Sequence, residues 1–268
     1  MASERVKFYD LVVEPGRTFY SANTWKTRLS LLHKNVPFDV IEVTPMMLQS
    51  DEFRQRTGSA RPLVPMVEFA RDDMVFNSFV IADRLERDYA DSSSLYIPEQ
   101  DTSDCHPAAY ASARAAARVF ERGLGDSDPG WSTFFELIYT DLARAYKHLP
   151  VDYEYVTSDR KLGFANAHAK LSALNMNELI ERARMSLLPF EALLTDNLPN
   201  GGKASFITSP TKAGFTDYVL FGRYMMVATL NADKAELVFS AHPAVSDWVE
   251  RMLDLYDGHA KHILDTRK

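Results

Sequence analysis

Apolar residues at Val6, Phe8 and Leu11 to Val13 are spaced as in a strand, and Trp25, Leu29, Leu32 and Val36 then recur at helical spacing. Pro37 interrupts that pattern. Phe38, Val40, Ile41 and Val43 form a second strand-like run, completing a βαβ unit. Residues 46–57 are polar and weakly helical and end at Gly58, a residue type suited to the left-handed conformation that closes a helix. Leu63 to Phe69 reads as a third strand with Pro65 near its start, and Met74-Val75-Phe76 returns as a hairpin after Arg71-Asp72-Asp73. A helix opens at Asn77-Ser78, with Phe79, Ala82, Leu85 and Tyr89 on its buried face. The order is βαβαββα over residues 1–90, an α/β thioredoxin-like domain: two strands joined by a right-handed helical crossover, then a hairpin.

Residues 91–106 carry Asp91-Ser92-Ser93-Ser94, Pro98 and a second acidic stretch, a connection suited to a domain boundary. From 107 to 268 the pattern is all-helical. It predicts helices near 107–122, 131–149, 166–194 with a break at Pro189, 215–230 and 243–264. Phe215 to Leu230 is apolar nearly all round, which marks a buried central helix.

Composition narrows the function classes. The chain has 268 residues, 46% of them hydrophobic, enough for two modest domains with a sizeable core. Its 30 Lys and Arg stand against 37 Asp and Glu, a net charge of -7, and no basic block exists to track a phosphate backbone, so nucleic acid is not an expected partner. The first residues lack a secretory pattern and no run approaches the ~20 apolar residues of a membrane span. A cytoplasmic protein is the expectation. A single cysteine, Cys105, excludes an internal disulfide and a Cys-cluster zinc site, and a tolerated small residue is the simplest account of it.

Ser21 stands where the first helix begins. Ser is an ordinary N-cap residue, and a hydroxyl beside unpaired first-turn N–H groups is also equipped to hold an anion. Pro65 either starts an edge strand or shapes a binding turn. Trp131, Phe134, Phe135, Ile138 and Tyr139 form an aromatic stripe that reads as core or as the wall of a pocket, and Tyr153-Glu154-Tyr155 has no clear assignment. His259 and His262 read as solvated residues on a terminal helix and not as metal ligands; no metal is expected. Ala111 to Ala117, with Arg114 and Arg118, reads as a solvated helix with a small-residue face.

Ser21 with Trp25-Lys26-Thr27-Arg28, Val64-Pro65 opening the third strand, and Asn77-Ser78 opening the following helix form an ordered set. In that set the chain resembles the glutathione transferases. Thr24 to Arg28 and Asp254-Leu255-Tyr256-Asp257-Gly258 are most similar to bacterial lignin β-etherases and fungal etherase-type transferases. The resemblance implies that glutathione is the co-substrate. It implies that the Ser21 hydroxyl donates to the glutathione sulfur, that Val64 before a cis Pro65 pairs with the cysteinyl backbone, and that Asn77 and Ser78 hold the γ-glutamyl end. A thiol with a pKa of about 8.5 is mostly protonated at neutral pH, so stabilising the thiolate is the chemical task. With serine at 21 and the only cysteine far away, disulfide exchange is disfavoured. One of Arg54, Arg56 and Arg61 is expected at the glycyl carboxylate.

The chain also departs from the family. Asn77 replaces a more usual acid, Ala22 a more usual proline, and Gly214 stands where a hydroxyl residue usually completes a capping box with Asp217. The resemblance implies a homodimer that brings glutathione to a hydrophobic aromatic electrophile in a pocket between the two halves. The rival readings are a binding protein that sequesters such aromatics and an assembly module; intact Ser21 and Ser78 argue against the second.

Overall fold

A computed structural model describes the chain apart from residues 1–4, 14–17, 126–128, 197, 199–200 and 267–268, and apart from the side chains of 124–132. The first half is a four-stranded mixed sheet in the order β2-β1-β3-β4. β1 (Val6–Leu11) and β2 (Phe38–Val43) run parallel with Val6 opposite Phe38. β3 (Met66–Ala70) is antiparallel to β1, with Phe8 opposite Val67, and β4 (Asp73–Phe76) closes the hairpin. The crossover is α1 (Ala22–His33), and α4 (Ser78–Asp88) follows the hairpin. Where one weak helix was expected at 46–57, two short ones form: α2 (Pro45–Leu48) and α3 (Asp51–Thr57), capped by Thr44 and Ser50 and closed by Gly58 at φ +63°. The pleat sorts side chains between two faces. Val6 and Phe8 enter the main core with α1 and α4, whereas Tyr9, Val43 and Met66 pack with Leu48 and Phe53 under α2 and α3.

The second half is helical: α5 (Pro107–Gly125), α6 (Pro129–Ala145), α7 (Pro150–Thr157), α8 (Asp159–Leu162), α9 (Ala167–Ser172), α10 (Met176–Thr195), α11 (Phe215–Leu230), α12 (Ala232–Phe239) and α13 (Pro243–Asp265). The short α7, α8 and α12 were not anticipated. They carry too few turns for a periodic signal. Pro189 does not break α10. Proline there frees the Met185 carbonyl, and both residues are exposed, so water satisfies the oxygen without a break.

α11 is the central helix, buried along nearly its whole length and packed most extensively against α1. The close approach requires Gly222: a Cβ there would lie 2.4 Å from the Ala22 carbonyl oxygen. α11 thereby fixes the backbone beside Ser21. Its start is capped although residue 214 has no side chain. The Asp217 carboxylate accepts from the N–H groups of Ile207, Thr208 and Gly214 and from Trp248 Nε1, and Thr208 Oγ1 accepts from Asp217 N at 3.3 Å. Thr208, from the preceding loop, supplies the hydroxyl that the sequence lacks at 214. The expected defect in the capping box is thus repaired from six residues upstream.

α13 is not one continuous helix. Tyr256, Asp257 and Gly258 adopt left-handed backbone angles, φ +55°, +56° and +70°. Left-handed geometry at a non-glycine residue costs about 1 kcal/mol or more. What it gains here is a buried chain of polar groups. The turn brings the Tyr256 hydroxyl onto that of Tyr218, and Tyr218 OH lies 2.6 Å from His33 Nδ1. His33 Nε2 lies 3.1 Å from the Ser93 carbonyl, so the network assigns the proton to Nε2 and leaves Nδ1 to accept from Tyr218.

The turn also sets His259 with Nε2 3.4 Å from Arg28 Nη1, so of the two histidines expected in solvent only His262 is exposed. Burial, then the neighbouring Arg28, lower the pKa of His259 to about 4.

Burial, reinforced by Lys34, lowers the pKa of His33 to about 4. The unfolded chain therefore takes up this proton from about pH 6.5 downward while the folded chain resists until about pH 4, and stability falls with pH across that window. At pH 7 His33→Gln should be the less stable protein; its deficit should narrow by about 1–2 kcal/mol at pH 5, read from chemical denaturation at the two pH values.

Candidate functional site

Two adjoining cavities open between the sheet and the helical half. The first, about 370 Å³, is the more polar and includes Asn23, Lys26, Arg61, Val64, Pro65, Asn77, Ser78, Arg118 and Glu121 in its walls. The second, about 340 Å³, is mostly apolar and has Ser21 in its wall with Phe135, Ile138, Leu142, Tyr155, Val156 and Met226. Asn23, Arg61, Pro62, Leu63 and Val64 belong to both, so the cavities meet there.

Ser21 caps α1. Its Oγ accepts from Thr24 N at 3.4 Å, and its backbone is extended at φ -71°, ψ 114°. The cap uses a lone pair and leaves the O–H without an acceptor among the described residues. The cap and anion-donor readings of the sequence are therefore compatible, since one hydroxyl can do both.

The Val64–Pro65 peptide bond is cis, and Val64 stands just ahead of the ladder that begins at Met66. Asn77, at φ +72°, turns its side chain back on its own helix, where Oδ1 accepts from Phe79 N at 3.0 Å and Val80 N at 3.4 Å. The Ser78 N–H, on the first turn, has no intrahelical partner. The Ser78 hydroxyl is already committed. It donates to Glu121 Oε1 at 2.8 Å.

Glu121, on α5, was not recognised from sequence and is the charged centre of the first cavity. Only 6% of it is exposed. Lys26 Nζ lies 2.8 Å from Oε1 and Arg118 Nη1 2.5 Å from Oε2. Burial alone would raise the pKa of this carboxyl, but Lys26, Ser78 and Arg118 overturn that and hold it below the ordinary value. Two cations face one carboxylate, a net positive setting with a negative focus inside it.

Arg118 and Arg114 lie on a helix that is largely exposed, and both are also ion-paired. Arg114 pairs with Asp83 of α4, its Nε 2.7 Å from Oδ1, and both arginines lie over the Phe79 ring. Arg28 reaches Asp10 of β1 at 2.8 Å inside a cage formed by Phe8, Phe19, Trp25 and Phe38. The charges of the Trp25-Lys26-Thr27-Arg28 run thus point inward to two different carboxylates.

The three arginine candidates separate. Arg54 pairs with Asp51 and Arg56 with Glu68, while Arg61 stands in the walls of both cavities with no carboxylate partner among the described residues. The aromatic stripe divides as well. Phe135 and Ile138 line the second cavity, Phe134 stacks on Phe239 in the core, Tyr139 meets His168, and the Trp131 side chain lies outside those described. Of Tyr153 and Tyr155, the latter reaches the cavity. Cys105 lies outside both cavities, its Sγ 3.4 Å from the Asp101 carbonyl, and burial raises its pKa. Among the described residues no three His, Cys, Asp or Glu side chains gather as metal ligands, and no helix is long and apolar enough to cross a membrane.

Residues 20–88 match the family described as glutathione S-transferase, N-terminal domain. Among solved structures, the chain is similar to a glutathione S-transferase of Ceriporiopsis subvermispora in complex with glutathione: 18% identity, TM-score 0.62, 98% of each chain covered. It is similar to glutathione transferase GSTFuA3 from Phanerochaete chrysosporium at 19% identity and TM-score 0.63, covering 99% of this chain and 96% of that one. Poplar glutathione transferase F1 gives 16% identity and TM-score 0.61, with 98% of each chain covered. No curated protein sequence matches. At these identities the structural likeness is one of fold: a thioredoxin-like domain joined to a helical one, as in the glutathione transferases.

Proposed function

We propose that the protein is a serine-type glutathione transferase, with the polar cavity holding glutathione and the apolar cavity a hydrophobic aromatic electrophile. The observation that carries this reading is the junction of the two cavities at Val64 and Asn23, with the Ser21 hydroxyl beside it. Such an arrangement suits a molecule with two charged ends and a reactive centre between them.

The γ-glutamyl carboxylate is assigned to the Ser78 N–H and the cations Lys26 and Arg118, and the γ-glutamyl ammonium to Glu121. Glu121 then supplies the negative charge that Asn77 lacks. The glycyl carboxylate is assigned to Arg61. Val64 pairs with the cysteinyl backbone, and the sulfur lies near Ser21, whose O–H donates to the thiolate. The thiolate attacks a carbon activated by a neighbouring carbonyl or ring. A C–S bond forms, the C–O bond to an aryl-oxide breaks, and the leaving oxygen departs with the electron pair and takes a proton from solvent. We assign this β-aryl ether cleavage as the reaction, on the resemblance of residues 24–28 and 254–258 to etherases. Positioning and charge stabilisation supply the rate.

Calorimetric titration with glutathione tests the first step. Saturable binding to wild type, weakened about tenfold or more by Arg61→Ala, which removes the cation assigned to the glycyl carboxylate, is the expected result. Absence of binding at millimolar glutathione would remove the transferase reading and leave the sequestration of aromatics in the second cavity.

A further inference from the structure

The second cavity has a charge pattern that a purely hydrophobic substrate does not explain. Its walls include Arg61, Lys161 and Arg223 and no aspartate or glutamate among the described residues. Arg223 is buried in α11. Lys161, on α8, is half-buried with its Nζ 5.9 Å from the centre of the Tyr155 ring, and among the described residues it forms no ion pair with a carboxylate. Of the nearby acids, Glu154 is exposed and the other two are engaged elsewhere. Asp152 accepts from Met46 N at 2.8 Å, and Asp159 from Asn166 N and Ala167 N, each at 2.9 Å. Burial, then the like charge of Arg61, lower the pKa of Lys161. An ammonium held there without a counter-charge favours an anion that brings one.

Resting on the transferase reading of the same site, we propose that the second substrate is an organic anion: an aromatic body seated against Phe135, Ile138 and Met226, with a carboxylate held by Lys161. Arg61 is taken by the glycyl carboxylate when glutathione is bound, so Lys161 carries the discrimination. The aromatic body then lies between that anchor and Ser21.

Naphthalene-2-carboxylate and naphthalene-2-carboxamide have the same shape and differ in charge, and neither is an electrophile. Calorimetric titration of the full chain, with and without saturating glutathione, should show the carboxylate binding about tenfold more tightly than the amide. Raising ionic strength should shrink the difference. Lys161→Gln should abolish the preference and leave the affinity for the amide unchanged, and Lys161→Arg should keep it. Equal affinities in wild type, or a preference that survives Lys161→Gln, would overturn the assignment. So would displacement of the carboxylate by glutathione, which would place it in the first cavity. Glutathione binding without an acid preference defeats this inference alone; an acid preference without glutathione binding defeats the transferase reading alone.

Discussion

Replacing Glu121 by alanine should cost about 3–5 kcal/mol of stability and weaken glutathione binding at least tenfold. The stability loss follows from what remains. Lys26 is 3% exposed, and without the carboxylate 2.8 Å away its ammonium sits in a buried setting beside a second cation, Arg118. Removing one member of a buried pair leaves the desolvation cost of the other uncompensated. The Ser78 hydroxyl also loses its acceptor, and α5 loses a tie to both α1 and α4.

The binding loss tests the role assigned to this carboxylate. If Glu121 receives the γ-glutamyl ammonium, Glu121→Gln keeps the shape and the bond from Ser78, removes the charge, and still weakens glutathione. If instead the Glu121 carboxylate occupies the seat of the ligand's own carboxylate, Glu121→Gln binds glutathione more tightly, and the assignment is wrong. Chemical denaturation and calorimetry on the two variants read the two effects separately.

The visibility of this group in the sequence is instructive. Ser21, Val64-Pro65 and Asn77-Ser78 were legible because each lies at the start of a helix or strand, where local residue chemistry and backbone geometry are coupled. The succession of strands and helices in the first half and the apolar α11 were legible for the same kind of reason, since periodicity reports on burial. Glu121 was not. It lies 95 residues from Lys26 and 43 from Ser78, on a helix whose alanine-rich course reads as solvated, and no local rule links those positions. Lys26 and Arg28 lie on a helix that the fold buries on almost every side, and each meets a carboxylate from another element, Glu121 and Asp10.

Some local rules were defeated by context. Pro189 stayed inside a helix because the carbonyl it orphans faces water. The helix expected over 243–264 breaks at Tyr256 to Gly258, which set Tyr256 on Tyr218 and His259 beside Arg28. Those partners are distant in sequence, so residues 254–258 were visible as a resemblance but not as a turn. Gly214 looked like a missing cap, yet Thr208 restores it through a bond that only the folded loop brings about.

Ser21→Ala should slow conjugation by about 10- to 100-fold at neutral pH, and move the pH-rate profile one to two units toward alkaline pH. A hydrogen bond from a neutral hydroxyl to a charged acceptor is worth about 1.5–3 kcal/mol, and about 1.4 kcal/mol corresponds to one pKa unit. With the bond, a glutathione thiol of pKa about 8.5 ionises near neutral pH; without it, the thiolate is the minor species until the solution is alkaline. The sign is fixed by which form the bond favours. A bond donated by Ser21 to the anion would favour the thiolate, so its loss would raise the pKa, and at high pH the variant should recover most of the wild-type rate.

The same residue also caps α1, through Thr24 N at 3.4 Å, and losing a cap costs about 1 kcal/mol. That loss is independent of pH, which separates it from the catalytic effect. Ser21→Thr keeps both the cap and the donor, while Ser21→Gly spares most of the cap energy and removes the donor. Rate profiles of Ala and Gly variants that shift together, with Thr close to wild type, would place the donor in the reaction. A profile in Ser21→Ala that coincides with wild type would reduce Ser21 to a helix cap.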